Sequence, residues 1–165
     1  MSLRLSLEIL LSAAKARTNL DQVYESMGLP QSRSTPADPL VLIVEDDRST
    51  RLMYSEYLAH SGFRTVDAHN GFQALEKAQS LQPNAVLTDL AVPGMDGFEF
   101  CRALQASDVT RAIPILAVTG HSEYLDEPDR FRVAGIAQVL TKPCPPDVIV
   151  DELRRLIRDA RIRDR

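Results

Sequence analysis

From residue 40 onward the chain alternates short apolar runs with longer stretches of helical periodicity, and few folds accommodate that alternation. Five such β–α units in succession predict a parallel sheet covered by helices on both faces, and the nearly all-apolar runs suit strands buried in that way. We predict strands at 40–44, 63–68, 85–88, 113–118 and 136–140, and helices at 49–60, 72–81, 98–106, 122–133 and 146–160. Right-handed crossovers favour a doubly wound α/β sheet, whose ligand site lies beyond the carboxyl ends of its strands.

Capping residues support these helix positions. Asn70, Asp96 and Ser122 each stand just before a helical stretch, where a short polar side chain satisfies free backbone N–H groups. Asp47 suits the same role before the first helix of the alternating region.

The chain before the alternating region has a different texture. Residues 1–30 carry leucines at helical spacing and predict a short helical extension, while 31–39 (QSRSTPADP) has the composition of a linker. Two short amphipathic helices cannot form a core alone, so they pack on the main domain, on a second copy or on a partner. A homodimer through residues 1–30 is therefore one expectation. We assign the main domain to 40–160 and a basic tail to 161–165.

Composition excludes several classes of protein. The formal charge of −4 gives no chain-wide basic footprint, so nucleic acid is an unlikely partner. No apolar run approaches the roughly 20 residues of a membrane span, and Glu8 interrupts the only stretch that looks like a signal peptide. Cys101 and Cys144 form no metal-binding or disulfide pattern, which favours a reducing cytoplasm.

Polar side chains follow four of the predicted strands. Glu45 and Asp46 follow the first strand, Asp89 the third, Thr119 the fourth and Lys142 the fifth. Because the carboxyl ends of parallel strands meet at one edge of the sheet, we expect three carboxylates, a hydroxyl and an ammonium to converge there.

Such a cluster points to magnesium-dependent phosphate chemistry. Two carboxylates about 4 Å apart repel by about 4 kcal/mol at an intermediate dielectric, and Mg²⁺, which prefers oxygen ligands, removes that repulsion. Thr119 can donate a hydrogen bond to a phosphoryl oxygen, and Lys142 can neutralise another. The chain has no P-loop, no dinucleotide-binding glycine motif and no nucleophile elbow. The simplest chemistry makes Asp89 the nucleophile, which forms an aspartyl phosphate.

The runs VLIVEDD, LTDLAVPGMDG, ILAVTG and VLTKP, in this order and on these elements, resemble the receiver domain of two-component response regulators. The resemblance covers residues 40 to about 160 and implies a five-stranded sheet in the order 2-1-3-4-5 with five helices. It also implies that Asp89 accepts a phosphoryl group from the phosphohistidine of a sensor histidine kinase or phosphotransfer protein.

Roles for the remaining side chains come from the same resemblance. It implies that Asp46 coordinates Mg²⁺ directly, that Glu45 does so through water, and that the backbone carbonyl of Ala91 completes the protein ligands together with Asp89. Thr119 matches the switch hydroxyl. Lys142, before an expected cis peptide bond to Pro143, matches the lysine that pairs with the phosphoryl group.

One position departs from the family pattern. The family usually carries an aromatic residue three positions before the lysine, and this chain has Val139 there. The swing of that aromatic helps to report phosphorylation to the outer surface, so the departure concerns the read-out and not the chemistry.

The expected function is a signalling domain that is not an enzyme beyond its own phosphorylation and dephosphorylation. The sequence leaves no room for an output domain after residue 165, so we expect output through contact with a downstream protein target. Two alternatives stay open: a pseudo-receiver scaffold that is never phosphorylated, and a magnesium-dependent phosphohydrolase that uses Asp89. Against the hydrolase, Asp89 follows the third strand and is not part of an Asp-x-Asp motif after the first.

Overall fold

A computed structural model of the chain describes residues 37–121 and 128–163. The predicted helical extension at 1–30, the linker residues 31–36 and the last two residues of the tail lie outside the described residues. So do residues 122–127 of the fourth predicted helix, which include its predicted cap at Ser122. None of the helices in the two described ranges combines the length and the hydropathy of a membrane span.

Within the described ranges, five parallel strands form one sheet in the order β2-β1-β3-β4-β5, which confirms the expected topology. The strands are β1 (Leu40–Val44), β2 (Arg64–Ala68), β3 (Ala85–Thr88), β4 (Ile115–Thr119) and β5 (Gln138–Thr141).

Helices follow the strands as the alternation predicted. They are α1 (Arg48–His60), α2 (Gly71–Leu81), α3 (Gly97–Ala106), α4 (Pro128–Val133) and α5 (Pro146–Arg163). Asp47, Asn70 and Asp96 are N-caps, and each side chain accepts a hydrogen bond from a backbone N–H in the first turn of its helix. These three predicted caps are confirmed.

The sheet has an apolar core on each face, because successive residues of its central strands point in opposite directions. From β1, Val41 and Ile43 pack with α1 and α5, whereas Leu42 and Val44 pack with α2, α3 and α4. The central strands β1, β3 and β4 are therefore buried almost throughout, as a sheet covered on both faces requires.

The expectation that all strands are nearly all-apolar is wrong for the two outermost strands, β2 and β5. β2 exposes Arg64 and Asp67, and β5 is only half-buried. A strand at the edge of a sheet has a neighbour on one side only, so its side chains reach solvent and tolerate polarity.

The predicted bounds differ from the structure where buried loop residues adjoin a strand. Phe63, Ile113 and Ile136 are buried but precede their strands, because their apolar side chains fill the core from turns. At the other end of the domain, α5 continues to Arg163, so the part of the predicted tail that is described belongs to the helix.

Candidate functional site

The register of the sheet brings the predicted site residues to one edge. Val44 on β1 pairs with Thr88 on β3, so Glu45 and Asp89 stand side by side just beyond the two strands. Thr119 pairs with Thr141 on β5, which places Lys142 one residue past the edge.

Lys142 joins the two carboxylates across the edge. Its ammonium nitrogen lies 2.5 Å from Oδ2 of Asp89 and 2.8 Å from Oε2 of Glu45. The Glu45 side chain is 4% exposed and that of Asp89 10%, so solvent screens these contacts little. The structure thus brings together three predicted site residues whose positions in the chain are 97 and 53 apart.

Burial and pairing shift the pKa values of this cluster. Burial raises the pKa of Glu45, and the hydrogen bond and charge of Lys142 oppose that rise only in part. For Lys142, burial alone would lower the pKa, but hydrogen bonds and charges from Asp89 and Glu45 outweigh it and raise the pKa above its ordinary value. Lys142 is therefore a permanent cation at neutral pH, fixed against Asp89.

The loop after β3 holds the second oxygen of Asp89. Oδ1 accepts a hydrogen bond from the backbone N–H of Ala91 at 2.9 Å. The loop is anchored to α3 by the N–H of Gly97, which donates to the carbonyl of Leu90 at 3.2 Å. A Cβ atom at Gly97 would lie 2.5 Å from the Leu90 Cα, so only glycine allows this close approach.

Arg51 also supports the site, and the sequence interpretation missed it. Its guanidinium donates to the carbonyls of Glu45 and Asp46 at 2.7 and 3.2 Å, and it pairs with Asp67 of β2 at 3.0 Å. With its side chain 15% exposed, Arg51 fixes the backbone that carries both acidic residues. The available signal was a basic residue in the first turn of the helix that follows them.

Other predicted residues are near the edge without joining the ion-paired cluster. Asp46 is exposed, and in the part of the chain that the structure describes its one contact with this site is the carbonyl, which accepts from Arg51. Thr119 is fully buried, and its hydroxyl oxygen accepts a hydrogen bond from the backbone N–H of His121 at 3.1 Å. Among the described residues, no hydrogen bond links the Thr119 hydroxyl to Asp89. Val139 packs half-buried against the core beneath, and the Lys142–Pro143 peptide bond is cis, as expected.

The donor set fits a magnesium ion. In the described part of the chain, no three acidic, histidine or cysteine side chains gather as a metal-binding cluster. Mg²⁺ does not require one, because it is usually held by one or two carboxylates while several waters stay bound. The edge offers carboxylates from Asp46 and Asp89 and the carbonyl of exposed Ala91, all hard oxygen ligands.

Comparisons with known proteins agree with this geometry. The family model for the response regulator receiver domain matches residues 41–154. The polar-differentiation response regulator DivK of Brucella anthropi is 30% identical over 120 residues, which cover 73% of this chain and 97% of DivK. The solved structure of the chemotaxis response regulator CheY4 of Vibrio cholerae aligns with a TM-score of 0.68 and 30% identity, over 73% of this chain and 99% of that one.

A third similarity concerns a receiver domain that contains a metal. The receiver domain of the sensor histidine kinase PA1611 from Pseudomonas aeruginosa is 28% identical, with a TM-score of 0.65, over 73% of this chain and 98% of that one. That structure has a magnesium ion coordinated in its active site cleft.

Proposed function

Because the chain belongs to the response regulator receiver domain family, we propose that Asp89 accepts a phosphoryl group from the phosphohistidine of a sensor histidine kinase or a phosphotransfer protein. The observation that carries the proposal is the position of Lys142, whose ammonium group contacts both Asp89 and Glu45. A buried carboxylate beside a fixed cation, at the carboxyl edge of a doubly wound sheet, is suited to phosphoryl transfer.

The reaction is a displacement at phosphorus. A carboxylate oxygen of Asp89 forms the new bond to phosphorus as the bond between phosphorus and the imidazole nitrogen of the donor breaks, and its electron pair stays on that nitrogen. Lys142 stabilises negative charge on the phosphoryl oxygens, and the hydroxyl of Thr119 donates a hydrogen bond to one of them. Dephosphorylation is a separate displacement: water attacks phosphorus, the bond between phosphorus and the Asp89 oxygen breaks, and the carboxylate is restored as inorganic phosphate leaves. The domain thus acts only on itself.

Magnesium completes this proposal. Asp46, Asp89 and the Ala91 carbonyl would hold the ion, with Glu45 bound through water. When bound, it supplies positive charge that neutralises the oxygens of the transferring group. The all-oxygen donor set and the magnesium in the related PA1611 domain support this assignment.

Phosphorylation would change the partners of Lys142. In the unphosphorylated structure its ammonium pairs with Glu45 and Asp89, and a phosphoryl group of nearly two negative charges competes for it. Redistribution of Lys142 and Thr119 at the ends of β5 and β4 then alters the neighbouring surface, which a downstream protein target reads. With Val139 in place of an aromatic, this read-out depends on the β4 and β5 ends and not on an aromatic swing.

The test is covalent phosphorylation of the full chain. Acetyl phosphate or phosphoramidate with Mg²⁺ should give an alkali-labile adduct with the mass of one phosphoryl group, and EDTA should prevent it. Asp89→Asn should abolish the adduct entirely, whereas Asp96→Asn, a matched control whose asparagine still caps α3, should leave it intact.

Each alternative gives a different result. An unmodified chain with Asp89 intact would support the scaffold and contradict the proposal. Continuous turnover of a generic phosphate ester would support the hydrolase. Transfer from a histidine kinase that is autophosphorylated in vitro would identify the natural donor.

A further inference from the structure

An apolar hollow lies at the amino ends of the strands, at the end of the sheet opposite Asp89. It has a volume of about 380 Å³, within the range of ligand pockets. Pro39 and Phe63, which precede β1 and β2, line it together with Ile157 and Ile162 of α5. Ile162 is 65% exposed, so a large apolar side chain stands open to solvent at this surface.

A second hollow of about 180 Å³ adjoins the first. The two share Ile157 and Arg161, and the second is also lined by Asn84 and Pro114, which precede β3 and β4. Together the two hollows run along the amino ends of four neighbouring strands, and we call the pair the amino-edge groove. With strands about 4.8 Å apart, the groove is about 15 Å long, the length of about five residues of extended peptide.

Arginines line the larger hollow. Arg154, Arg158 and Arg161 are three and four positions apart along α5 and so lie on one side of the helix. Arg154 is engaged, since it donates to the carbonyl of Ser61 at 2.9 Å. The described residues provide Arg161 with no ion-pair partner, and Arg158 has only the distant carboxylate of its neighbour Asp159, 3.9 Å away.

The apolar lining and the neighbouring arginines together favour a ligand that has both an apolar and an acidic side chain. We propose that the amino-edge groove binds an extended acidic peptide segment of a partner protein, with one large apolar side chain in the larger hollow. The apolar lining attracts that side chain, and Arg158 and Arg161 attract its acidic neighbours. The side-chain amide of Gln82 in the second hollow suits hydrogen bonds with a peptide backbone. The Oδ1 of Asn84 already accepts from the N–H of Leu40 at 2.7 Å, so Asn84 can offer a peptide only its NH₂ group.

Nucleic acid fits the groove less well. Phosphate backbones are bound by rows of basic and polar groups, whereas four residues of the larger hollow are apolar. The chain also has a net charge of −4, which repels a polyanion at long range but matters less for a short peptide.

The first experiment identifies the peptide chemistry. A phage-displayed library of random short peptides is selected on the full chain. We expect enrichment of sequences with more acidic than basic residues and at least one leucine, isoleucine, phenylalanine or tryptophan. Enriched peptides without an acidic excess, or no enrichment above background, would overturn the proposal.

The second experiment locates the site. Selected peptides are labelled and titrated by fluorescence anisotropy against a double charge reversal, Arg158→Glu with Arg161→Glu. We expect affinity to fall by about tenfold or more, and high salt to weaken the wild-type complex. Ile162→Ser should reduce affinity without reversing any charge. A matched double variant on other helices, Arg102→Glu with Arg132→Glu, should bind as the wild type does.

Three results would contradict the location or the ligand class. Equal peptide affinity of the groove and control double variants would place binding elsewhere. Tighter binding of a short single-stranded DNA, or of vesicles of anionic lipid, than of the selected peptides would assign the arginines to a different partner. Circular dichroism of every variant confirms that the fold is retained, and unaltered phosphorylation at Asp89 in the groove variants keeps this test separate from that of the proposed function.

Discussion

At the carboxyl ends of the strands Glu45 and Asp89 are buried and paired with Lys142, whereas at the amino ends the arginines of α5 lie at the surface. Glu45 and Asp89 are at most 10% exposed and share Lys142, while the side chain of Arg158 is 68% exposed. A buried charge is stable only with a partner, so each member of the first group depends on the others. An exposed charge carries little folding energy and is free for an incoming ligand.

Among the substitutions that compare the two ends of the sheet, replacement of Lys142 should cause the largest loss of stability. Lys142→Met leaves two neighbouring carboxylates without their cation, and we expect the free energy of unfolding to fall by about 3 kcal/mol in EDTA. Urea denaturation measures this loss. Lys77→Met is the matched control, because within the described ranges Lys77 donates only to a backbone carbonyl at the surface. This substitution should cost no more than about 0.5 kcal/mol.

The cause of that loss can be checked in two ways. Glu45→Gln in the Lys142→Met background should recover part of the stability, because one of the two repelling charges is removed. Added Mg²⁺ should do the same if it binds the freed carboxylates. An equal loss for Lys77→Met and Lys142→Met would show that pairing at the carboxyl edge is not the source of the difference.

A backbone contact at the carboxyl edge should give the next largest effect. In Gly97→Ala the added methyl group meets the backbone of Leu90, and we expect a loss of about 2 kcal/mol. Gly120→Ala is the matched control, since a Cβ there has no heavy atom within 4 Å and should leave stability within about 0.5 kcal/mol. Thermal unfolding compares the stability of the two variants. Unchanged stability of Gly97→Ala would mean that the loop after Asp89 rearranges at little cost to accommodate the methyl group.

The sequence predicted the site at the carboxyl ends of the strands but not the amino-edge groove. The two depend on different features of the chain, which explains the difference. Strand ends can be located from apolar runs, and the residues that follow them must meet at one edge, so Glu45, Asp89 and Lys142 were predictable. The amino-edge groove depends on how far α5 extends and on the turns before four strands, which periodicity does not fix. Its arginines at the end of a helix also look like ordinary partners of the helix dipole.

Arg51 was missed for a related reason. Its role depends on the direction of a long side chain, which reaches back from α1 to carbonyls of the preceding loop. Likewise, the sequence correctly predicted that Asp46 and Thr119 follow the carboxyl ends of strands. It did not predict that both lie outside the ion-paired cluster. Placement on an element follows from pattern, whereas side-chain contacts follow from packing.

Arg51→Ala should therefore have an intermediate effect. We expect about 1 kcal/mol of lost stability from the missing hydrogen bonds, and phosphorylation by acetyl phosphate slower by about tenfold because the acidic loop is no longer held. Arg48→Ala, at an exposed position at the start of the same helix, should change neither quantity measurably. Unchanged phosphorylation in Arg51→Ala would restrict this residue to a structural role.

The smallest effect is expected at the amino edge. Arg161→Gln removes an exposed charge that pairs with no described residue, and we expect the free energy of unfolding to change by less than about 0.5 kcal/mol. The same substitution should weaken a selected acidic peptide several-fold, because the charge faces the groove and not the core. Urea denaturation and anisotropy on one protein preparation compare the two quantities directly. A stability loss above about 1 kcal/mol would mean that Arg161 is engaged within the folded chain. The contrast between paired charges at the carboxyl ends of the strands and available charges at their amino ends would then fail at Arg161.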